Sequence, residues 1–428
     1  MRTAVRRYRV LFRAPGVRRV LVPSLVGRLP IGMSTLLFIL IVHAGTGSYA
    51  AAGVATAANS LLTAFTAPVL GRLADRGRAV SVLVVTGLAQ AALFVALVGA
   101  LRAHLDVPLV VAVAGLAGAV NPPIGAVTRA VLPRLAPDEQ AVRTAYALDA
   151  IALELTFVAG PAVVGLVSAL AHPYAAALLA AGLTAYGSVA LATAPALRAG
   201  ARSAWAARSA PAARAGRGRR ERRRSSPLRG AAMRVVLLAA GLEAAAYGVL
   251  EVAIPAHADH AGRPDAAGPL VAVWSVGSIV GGLWYSGRTF RAPPGRQYAV
   301  LMSANVVGFA SVLLATGLPS LGVILFLAGL VIAPTTAVEY TLVTALAPAG
   351  TETEAFTWSG TAVYLGFAGG SALAGTALSA TLTTERGLTI SALVAAGLVL
   401  VGATLTFFYR NRLVADCSVS QADGIVSR

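Results

Sequence analysis

GRLADRGR, at residues 71–78, is a dense group of charges between two long apolar runs, 49–70 and 80–101. Each run is long enough to cross a hydrocarbon core about 30 Å thick, because an α-helix rises about 1.5 Å per residue. A charged octapeptide between two such helices must be a short loop at one membrane face. Its glycines permit a tight turn, and Asp75 stands where the next helix begins, at the positive end of that helix dipole.

Apolar runs of this length recur along the whole chain and predict twelve transmembrane helices. Six lie near 22–43, 49–70, 80–101, 108–132, 144–170 and 174–194, and six more near 233–256, 268–287, 298–317, 320–345, 355–381 and 387–409. The chain is 57% hydrophobic and only 12% charged, which excludes an ordinary soluble domain. The predicted fold is an all-α integral membrane protein.

Polar segments divide the chain into five parts. We predict a basic arm at 1–19, a six-helix half at 20–194, an arginine-rich linker at 195–232, a second six-helix half at 233–409 and a tail at 410–428. The linker is rich in Arg, Ala, Ser and Gly without apolar periodicity, which favours a flexible connection over a domain. The basic start resembles a signal peptide, but Arg28 interrupts the apolar run and many more spans follow.

All 35 basic residues are arginines, and their distribution predicts the orientation of the chain. Thirty-one of them fall on the side of the N-terminus, against Arg102, Arg263 and Arg386 on the other side and Arg129 within a span. The positive-inside rule then places the arm, the linker and both termini in the cytoplasm, and we expect the plasma membrane as the location. We interpret the net charge of +18 as this topology signal and expect no nucleic-acid partner.

The two halves are related by an offset of 210 residues. This offset places Gly71, Leu73, Gly77 and Arg78 on Gly281, Leu283, Gly287 and Arg288, and it places Phe157, Gly160, Ala162 and Gly165 on Phe367, Gly370, Ala372 and Gly375. A constant offset at two distant places indicates an internal repeat. The second copy carries Tyr285 where the first has Asp75, so the second half does not repeat the role of that carboxylate.

GRLADRGR resembles the loop between spans two and three of the major facilitator superfamily, G-x-L-A-D-R-x-G-R, with one residue missing between Arg76 and Gly77. The family has six plus six spans and a substrate site at the interface of the halves. The resemblance implies a cytoplasmic gate formed by Gly71, Asp75, Arg76, Gly77 and Arg78. In this gate Asp75 would dock against the start of the eleventh helix, near Ala355; the alternative is that Asp75 caps a helix and does nothing more.

Gly160-Pro161, followed by Gly165, resembles the motif G-P-x-x-G-G in the fifth span of the family's antiporters, with Val164 in place of the first paired glycine. Proline removes a backbone hydrogen bond and small residues admit a neighbouring backbone, which predicts a bend within a tight helix contact. The resemblance is to bacterial proton-coupled efflux members and implies export.

Ionisable residues within the predicted spans are candidates for function, because a charge in hydrocarbon costs at least ~2.5 kcal/mol. Glu154 and Glu243 lie ~15 Å from a cytoplasmic helix end, near the bilayer midplane. Arg129 and Asp149 lie on antiparallel neighbours and could form an ion pair, and Arg129 also resembles the fourth-span arginine of proton-coupled members. Glu339 stands 210 residues after Arg129, at the matching position of the repeat. The two halves could therefore place opposite charges against each other.

The proton-coupling candidates are therefore Glu243, Glu154, Asp149, Arg129 and Glu339. The alternative is structural: a buried, protonated carboxyl that is hydrogen-bonded between helices, or an ion pair that neutralises itself.

We expect a secondary active transporter that works by alternating access and exports a small organic molecule in exchange for protons. The alternatives are a proton-coupled uptake symporter and a non-transporting membrane sensor or scaffold. A transporter needs a carboxylate that can be reached in the cavity, whereas a scaffold needs none. No HExxH, GxSxG, CxxC or G-x-x-x-x-G-K motif occurs, so we predict no enzyme, metal site or cofactor. The expected partners are the substrate, protons and the lipid bilayer, and we expect a monomer.

Overall fold

The computed structural model describes residues 16–199, 226–263, 266–376 and 386–425, and these contain helices and turns but no strand. The first half contains α1 (Val17–Thr46), α2 (Tyr49–Leu73), α3 (Ala79–Arg102), α4 (Val107–Ala119), α5 (Ile124–Leu135), α6 (Glu139–Leu170) and α7 (Pro173–Ala192). The second half contains α8 (Ala231–His260), α9 (Ala267–Ser286), α10 (Pro294–Ser311), α11 (Leu318–Gly329), α12 (Ile332–Leu346), α13 (Glu352–Thr376) and α14 (Gly387–Ile425).

These helices make twelve spans. Ten helical segments of the described chain are long and apolar enough to cross a membrane. One of them, Ala51–Arg102, covers 52 residues, which is far too long for one crossing, and a π-helical turn at Ala74–Arg78 divides it into α2 and α3. Helices α4 and α5 together form span four, α11 and α12 form span ten, and α13 is span eleven. The predicted fold of twelve helices in two six-helix halves is confirmed.

The internal repeat is visible in where the helices break. Helix α4 ends at Ala119 and α11 ends at Gly329, which are 210 residues apart. Pro122 and Pro123 follow the first break, and proline both lacks an amide hydrogen and disfavours helix in the residue before it. In both halves the second piece of the broken span carries an ionisable side chain.

The predicted segment boundaries remain predictions, because most of the arm and linker lies outside the described residues, as do residues 426–428. Two differences are visible. Helix α13 ends at Thr376, and the last part of the predicted eleventh span, 377–381, lies outside the described residues. Helix α14 continues to Ile425, past position 409 where the predicted span ends, since no proline or glycine occurs between 403 and 423 to stop it.

Small residues set the packing within each half. A Cβ added to Gly27 of α1 would lie 2.8 Å from the Cα of Gly187 in α7, so these two backbones touch. A Cβ added to Gly370 of α13 would lie 1.9 Å from the carbonyl oxygen of Ala245 in α8. Membrane helices associate through such close contacts, because lipid is as apolar as their side chains and supplies no hydrophobic drive.

The halves meet along two seams: α2 and α5 pack against α13, and α6 packs against α9 and α12. In the first seam the hydroxyl of Thr361 donates to the carbonyl oxygen of Ala64 at 2.9 Å. In the second, Ile151 packs so closely on Gly282 that an added Cβ would lie 2.8 Å from its Cγ1 atom. We call the membrane face that carries residues 74–78 the Asp75 face.

Candidate functional site at the boundary between the halves

Asp75 docks against the eleventh span. Its Oδ1 accepts from the backbone N–H of Thr353 at 3.0 Å, and its Oδ2 accepts from the N–H of Glu354 at 2.7 Å. These amides belong to the first turn of α13, where they have no partner within the helix and carry the positive end of its dipole. Asp75 therefore caps a helix of the other half. It does not cap α3, whose N-cap residue is Arg78.

Arg72 and Glu354 reinforce this contact. The Arg72 guanidinium donates through Nη2 and Nε to the two carboxylate oxygens of Glu354, at 2.6 and 3.1 Å, in a bidentate pair. Gly71 permits the approach, since an added Cβ would lie 2.4 Å from the Thr357 hydroxyl oxygen, and Gly77 turns the chain with a positive φ of 75°. We call Asp75, Arg72 and Glu354 the Asp75 clamp.

Of the predicted gate residues, Arg76 and Arg78 are exposed at the surface of the turn. Arg72 and Glu354 are not among the gate residues predicted from the sequence. Two sequence features point to this pair. Arg72 lies inside the same octapeptide as Asp75, and Glu354 is an acidic residue in the first turn of the eleventh span, where the helix dipole favours it.

A layer of buried aromatic rings lies next to the clamp. Tyr146 of the first half contacts Tyr340 and Phe356 of the second, with ring centroids 6.0 and 6.2 Å away, and the last two rings are 5.8 Å apart. The Tyr146 hydroxyl is also 2.6 Å from the hydroxyl of Thr344. We call Tyr146, Tyr340 and Phe356 the aromatic layer. The Asp75 clamp and the aromatic layer both join the first half to the second half.

Asp149 binds two arginines inside the first half. Arg129 Nε donates to its Oδ2 at 2.8 Å, and Arg28 Nη1 donates to its Oδ1. All three side chains are buried, with exposed fractions of 8%, 3% and 2% for Arg129, Arg28 and Asp149. The ion pair expected between Arg129 and Asp149 is thus present. We call Arg28, Asp149 and Arg129 the charge triad.

Arg28 does not lie at the membrane surface on the side of the N-terminus, as its place among the 31 arginines predicted. It lies within the first span and is bound to Asp149, 121 residues further along the chain. The sequence feature that indicates this placement is an arginine inside an apolar run, because a charged side chain within a membrane is costly unless it has a partner.

Arg129 also faces the second half. Its guanidinium carbon lies 4.1 Å from the ring centroid of Tyr340 and 5.8 Å from that of Phe356, within the range of cation–π attraction. Glu339 lies within electrostatic range of Arg129, although no ion pair within 4.0 Å joins them in the described part of the chain. Glu339 instead accepts a hydrogen bond from Ser359 Oγ at 2.5 Å.

Glu243 is bonded within the second half. Its Oε1 accepts from the hydroxyl of Tyr247 at 2.8 Å and from Nδ2 of Asn305 at 2.9 Å, and Asn305 also lies 3.0 Å from the Thr335 hydroxyl. Glu154 is placed differently. It is half-buried on α6, the helix that packs against α9 of the second half. Of these two carboxyls, Glu154 is therefore the one at the boundary.

The Gly160 motif packs as expected at one of its two glycines. A Cβ added to Gly160 would lie 2.3 Å from the carbonyl carbon of Gly32, so spans five and one are in backbone contact there. A Cβ added to Gly165 would have no atom within 4 Å, so this glycine contributes no tight contact. Helix α6 runs through Pro161 as one helix. Among the described residues no group of three His, Cys, Asp or Glu side chains could hold a metal ion.

Comparison with known proteins agrees with this architecture. The family model of the Major Facilitator Superfamily matches residues 26–371. A crystal structure of a bacterial homologue of the iron transporter ferroportin, outward-facing with soaked iron, is 14% identical, with a TM-score of 0.70 over 91% of this chain and 98% of that chain. The human organic anion transporter MFSD10 (TETRAN) is 17% identical, with a TM-score of 0.66 over 92% of this chain and 99% of that chain.

At these identities the structural likeness shows the fold alone, and no curated protein matches the chain. The family match, by contrast, covers most of the sequence, and the twelve spans form two repeated halves as this family requires. The chain therefore belongs to the Major Facilitator Superfamily and is a multi-pass membrane transporter, not an enzyme.

Proposed function

We propose that this protein exports a small organic molecule in exchange for protons, by alternating access. The observation that carries the proposal is a group of carboxyls inside the spans: Asp149, Glu339 and Glu243 are buried, and Glu154 is half-buried. Asp149 and Glu154 lie on α6 and Glu339 on α12, two helices that pack against each other at the boundary between the halves. Buried carboxyls are costly in a membrane and mark coupling sites in transporters. A sensor or scaffold with the same fold has no need of them.

The gate of this cycle is proposed to be the Asp75 clamp with the aromatic layer. Every hydrogen bond of the clamp joins the first half to α13 of the second half. The aromatic layer likewise takes Tyr146 from the first half and two rings from the second. Rocking the halves apart at the Asp75 face must break all of these contacts together. This supports a gating role for the loop that contains Gly71, Asp75 and Gly77.

Two substitutions test the coupling. In inverted vesicles with an imposed pH gradient and a panel of compounds, Glu154→Gln and Glu243→Gln should each abolish gradient-driven transport while still permitting substrate exchange. Glutamine keeps the shape of the side chain and removes its titration. The matched control is Glu139→Gln, since the Glu139 side chain is 78% exposed at the start of α6.

Normal transport against a gradient in both Gln variants would rule out proton coupling through these carboxyls. The same vesicles decide between export and the alternative, a proton-coupled uptake symporter, because the two move substrate in opposite directions relative to the proton. Export is favoured by the resemblance of Gly160 and Pro161 to the antiporter motif. A panel in which no compound responds to the gradient would favour the scaffold.

We also propose that both termini and the linker are cytoplasmic, in the plasma membrane. The arginine imbalance supports this orientation even with Arg28 moved into the first span. After replacing the single native cysteine by Cys417→Ser, cysteines placed at 205–225 should react with an impermeant thiol reagent from the cytoplasmic side. Labelling of those positions from the outside of intact cells would overturn the orientation.

A further inference from the structure

The charge triad is not neutral. It contains two guanidinium groups and one carboxylate, and all three side chains are buried. A buried charge without a counterion is costly in a protein interior and more so within a membrane. One positive charge of this triad therefore lacks a partner inside the first half.

Buried hydrogen-bond donors without a partner occur on the two helices, α1 and α5, that carry these arginines. Arg28 Nη2 is buried and has no hydrogen-bond partner among the described residues, and the same is true of the hydroxyls of Ser24 and Thr128. Ser24 lies one helical turn before Arg28, and Thr128 is the neighbour of Arg129 in the sequence. A Cβ added to Gly125 would lie 3.4 Å from Arg28 Nε and 3.6 Å from Arg129 Nη2, so the two arginines border one position that carries no side chain.

We propose that Arg28 and Arg129 form a binding site for an anionic group, a carboxylate, on the transported molecule. This inference rests on the proposed transport function and adds the chemical class of the substrate. Guanidinium groups suit the task, because they stay charged and their planar forks bind carboxylates through paired hydrogen bonds. A carboxylate at Gly125 would supply the missing negative charge.

The second half covers this site in the present structure. Tyr340 and Phe356 lie over the Arg129 guanidinium, and Glu339 is the nearby acidic side chain of the second half. When the halves separate at the Asp75 face, these groups move away with the second half and leave Arg129 open to that side. An anion then binds from the Asp75 side, and it is displaced when Glu339 and the rings return. Export requires this order: the anion binds from the cytoplasm, and Glu339 with the two rings then displaces it.

Equilibrium binding to the purified full-length protein in lipid nanodiscs tests the site with three probes of matched size: benzoate, benzylammonium and benzyl alcohol. Benzoate should bind at least about tenfold more tightly than the other two, as expected for charge-assisted hydrogen bonds. Arg28→Gln and Arg129→Gln should each remove this preference. Each variant leaves Asp149 paired with the remaining arginine, so the fold should persist. Glu339→Gln removes the competitor and should strengthen benzoate binding.

The matched control is Arg102→Gln, because Arg102 stacks on Tyr174 at 5.5 Å, away from the triad, and its loss should leave benzoate binding unchanged. Equal binding of the three probes would overturn the anion site, as would a benzoate preference that survives in a folded Arg129→Gln variant. If Arg129→Gln does not fold, Arg28→Gln and Glu339→Gln decide, since benzoate affinity must fall in the first and rise in the second. Transport in the vesicle panel would stand in either case, because that panel does not depend on the charge of the substrate.

Discussion

Two helix pairs related by the internal repeat make the same contact with opposite chemistry. In the first half Arg129 donates to Asp149 at 2.8 Å. Positions 210 residues further along hold Glu339 and Ser359, and there Ser359 donates to Glu339 at 2.5 Å. The repeat has thus kept the geometry of the helix pair and changed its charge. Backbone packing fixes which positions meet, whereas the side chains at those positions are free to differ.

The same asymmetry occurs at the Asp75 face. Asp75 binds the amides of a helix in the other half, while its equivalent Tyr285 donates to Gln297 of its own half at 2.6 Å. The loop that follows Tyr285 reaches the first half through a long contact of 3.5 Å, between Arg143 Nη1 and the carbonyl oxygen of Phe290. The halves are alike in fold, and the first half supplies most of the charge at their boundary.

The largest effect on stability should come from removing the carboxylate of the charge triad. Asp149→Asn leaves Arg28 and Arg129 buried together without a carboxylate and should destabilise the protein by about 3–5 kcal/mol. The free energy of unfolding is measured in detergent by titration with denaturant. A second substitution, Arg28→Gln, removes one of the uncompensated charges and should recover part of the loss. A stability equal to that of the native protein would mean that the triad is not held by its charges.

Ser359→Ala is the counterpart in the second half and should cost less. It removes one hydrogen bond to Glu339 while leaving no new charge unpaired, so we expect a loss of about 1–3 kcal/mol. The same titration measures it beside Asp149→Asn. Equal losses in the two variants would contradict the contrast drawn between the pairs.

Asp75→Asn should change function more than stability. It weakens the cap on α13 by about 1 kcal/mol, which corresponds to roughly a fivefold change in the ratio of closed to open Asp75 face. Transport should be slower while expression stays nearly unchanged. Distances between spin labels on spans two and eleven report the shift in conformation. Unchanged transport would remove Asp75 from the gate.

The smallest effect is expected for Tyr285→Phe, the matched change in the other half. It removes a hydrogen bond that stays within the second half, at a cost of about 0.5–1.5 kcal/mol. Gln297 keeps its second bond, from Nε2 to the carbonyl oxygen of Ala292 at 2.6 Å. Transport should match that of the native protein in the assay used for Asp75→Asn. A loss as large as that of Asp75→Asn would show that both loops gate the Asp75 face.

The sequence by itself determined the number of spans, the charged turn at 71–78 and the repeat. It also predicted the contact between Arg129 and Asp149, because two residues at similar distances from a short loop meet on antiparallel neighbours. These features depend on local properties: the length of apolar runs, the positions of charges along them and the geometry of one helical hairpin.

Only the tertiary structure decided which faces of distant helices meet. Three hydrogen-bonded pairs are far apart in the sequence: Arg28 and Asp149 by 121 residues, Arg72 and Glu354 by 282 residues, and Glu243 and Asn305 by 62 residues. In a membrane helix most faces are apolar, so hydrophobic periodicity does not fix the rotation of the helix about its axis. That rotation is set by the fit of glycines such as Gly27 and Gly160 against neighbouring backbones, and it decides which carboxyls and arginines reach the boundary.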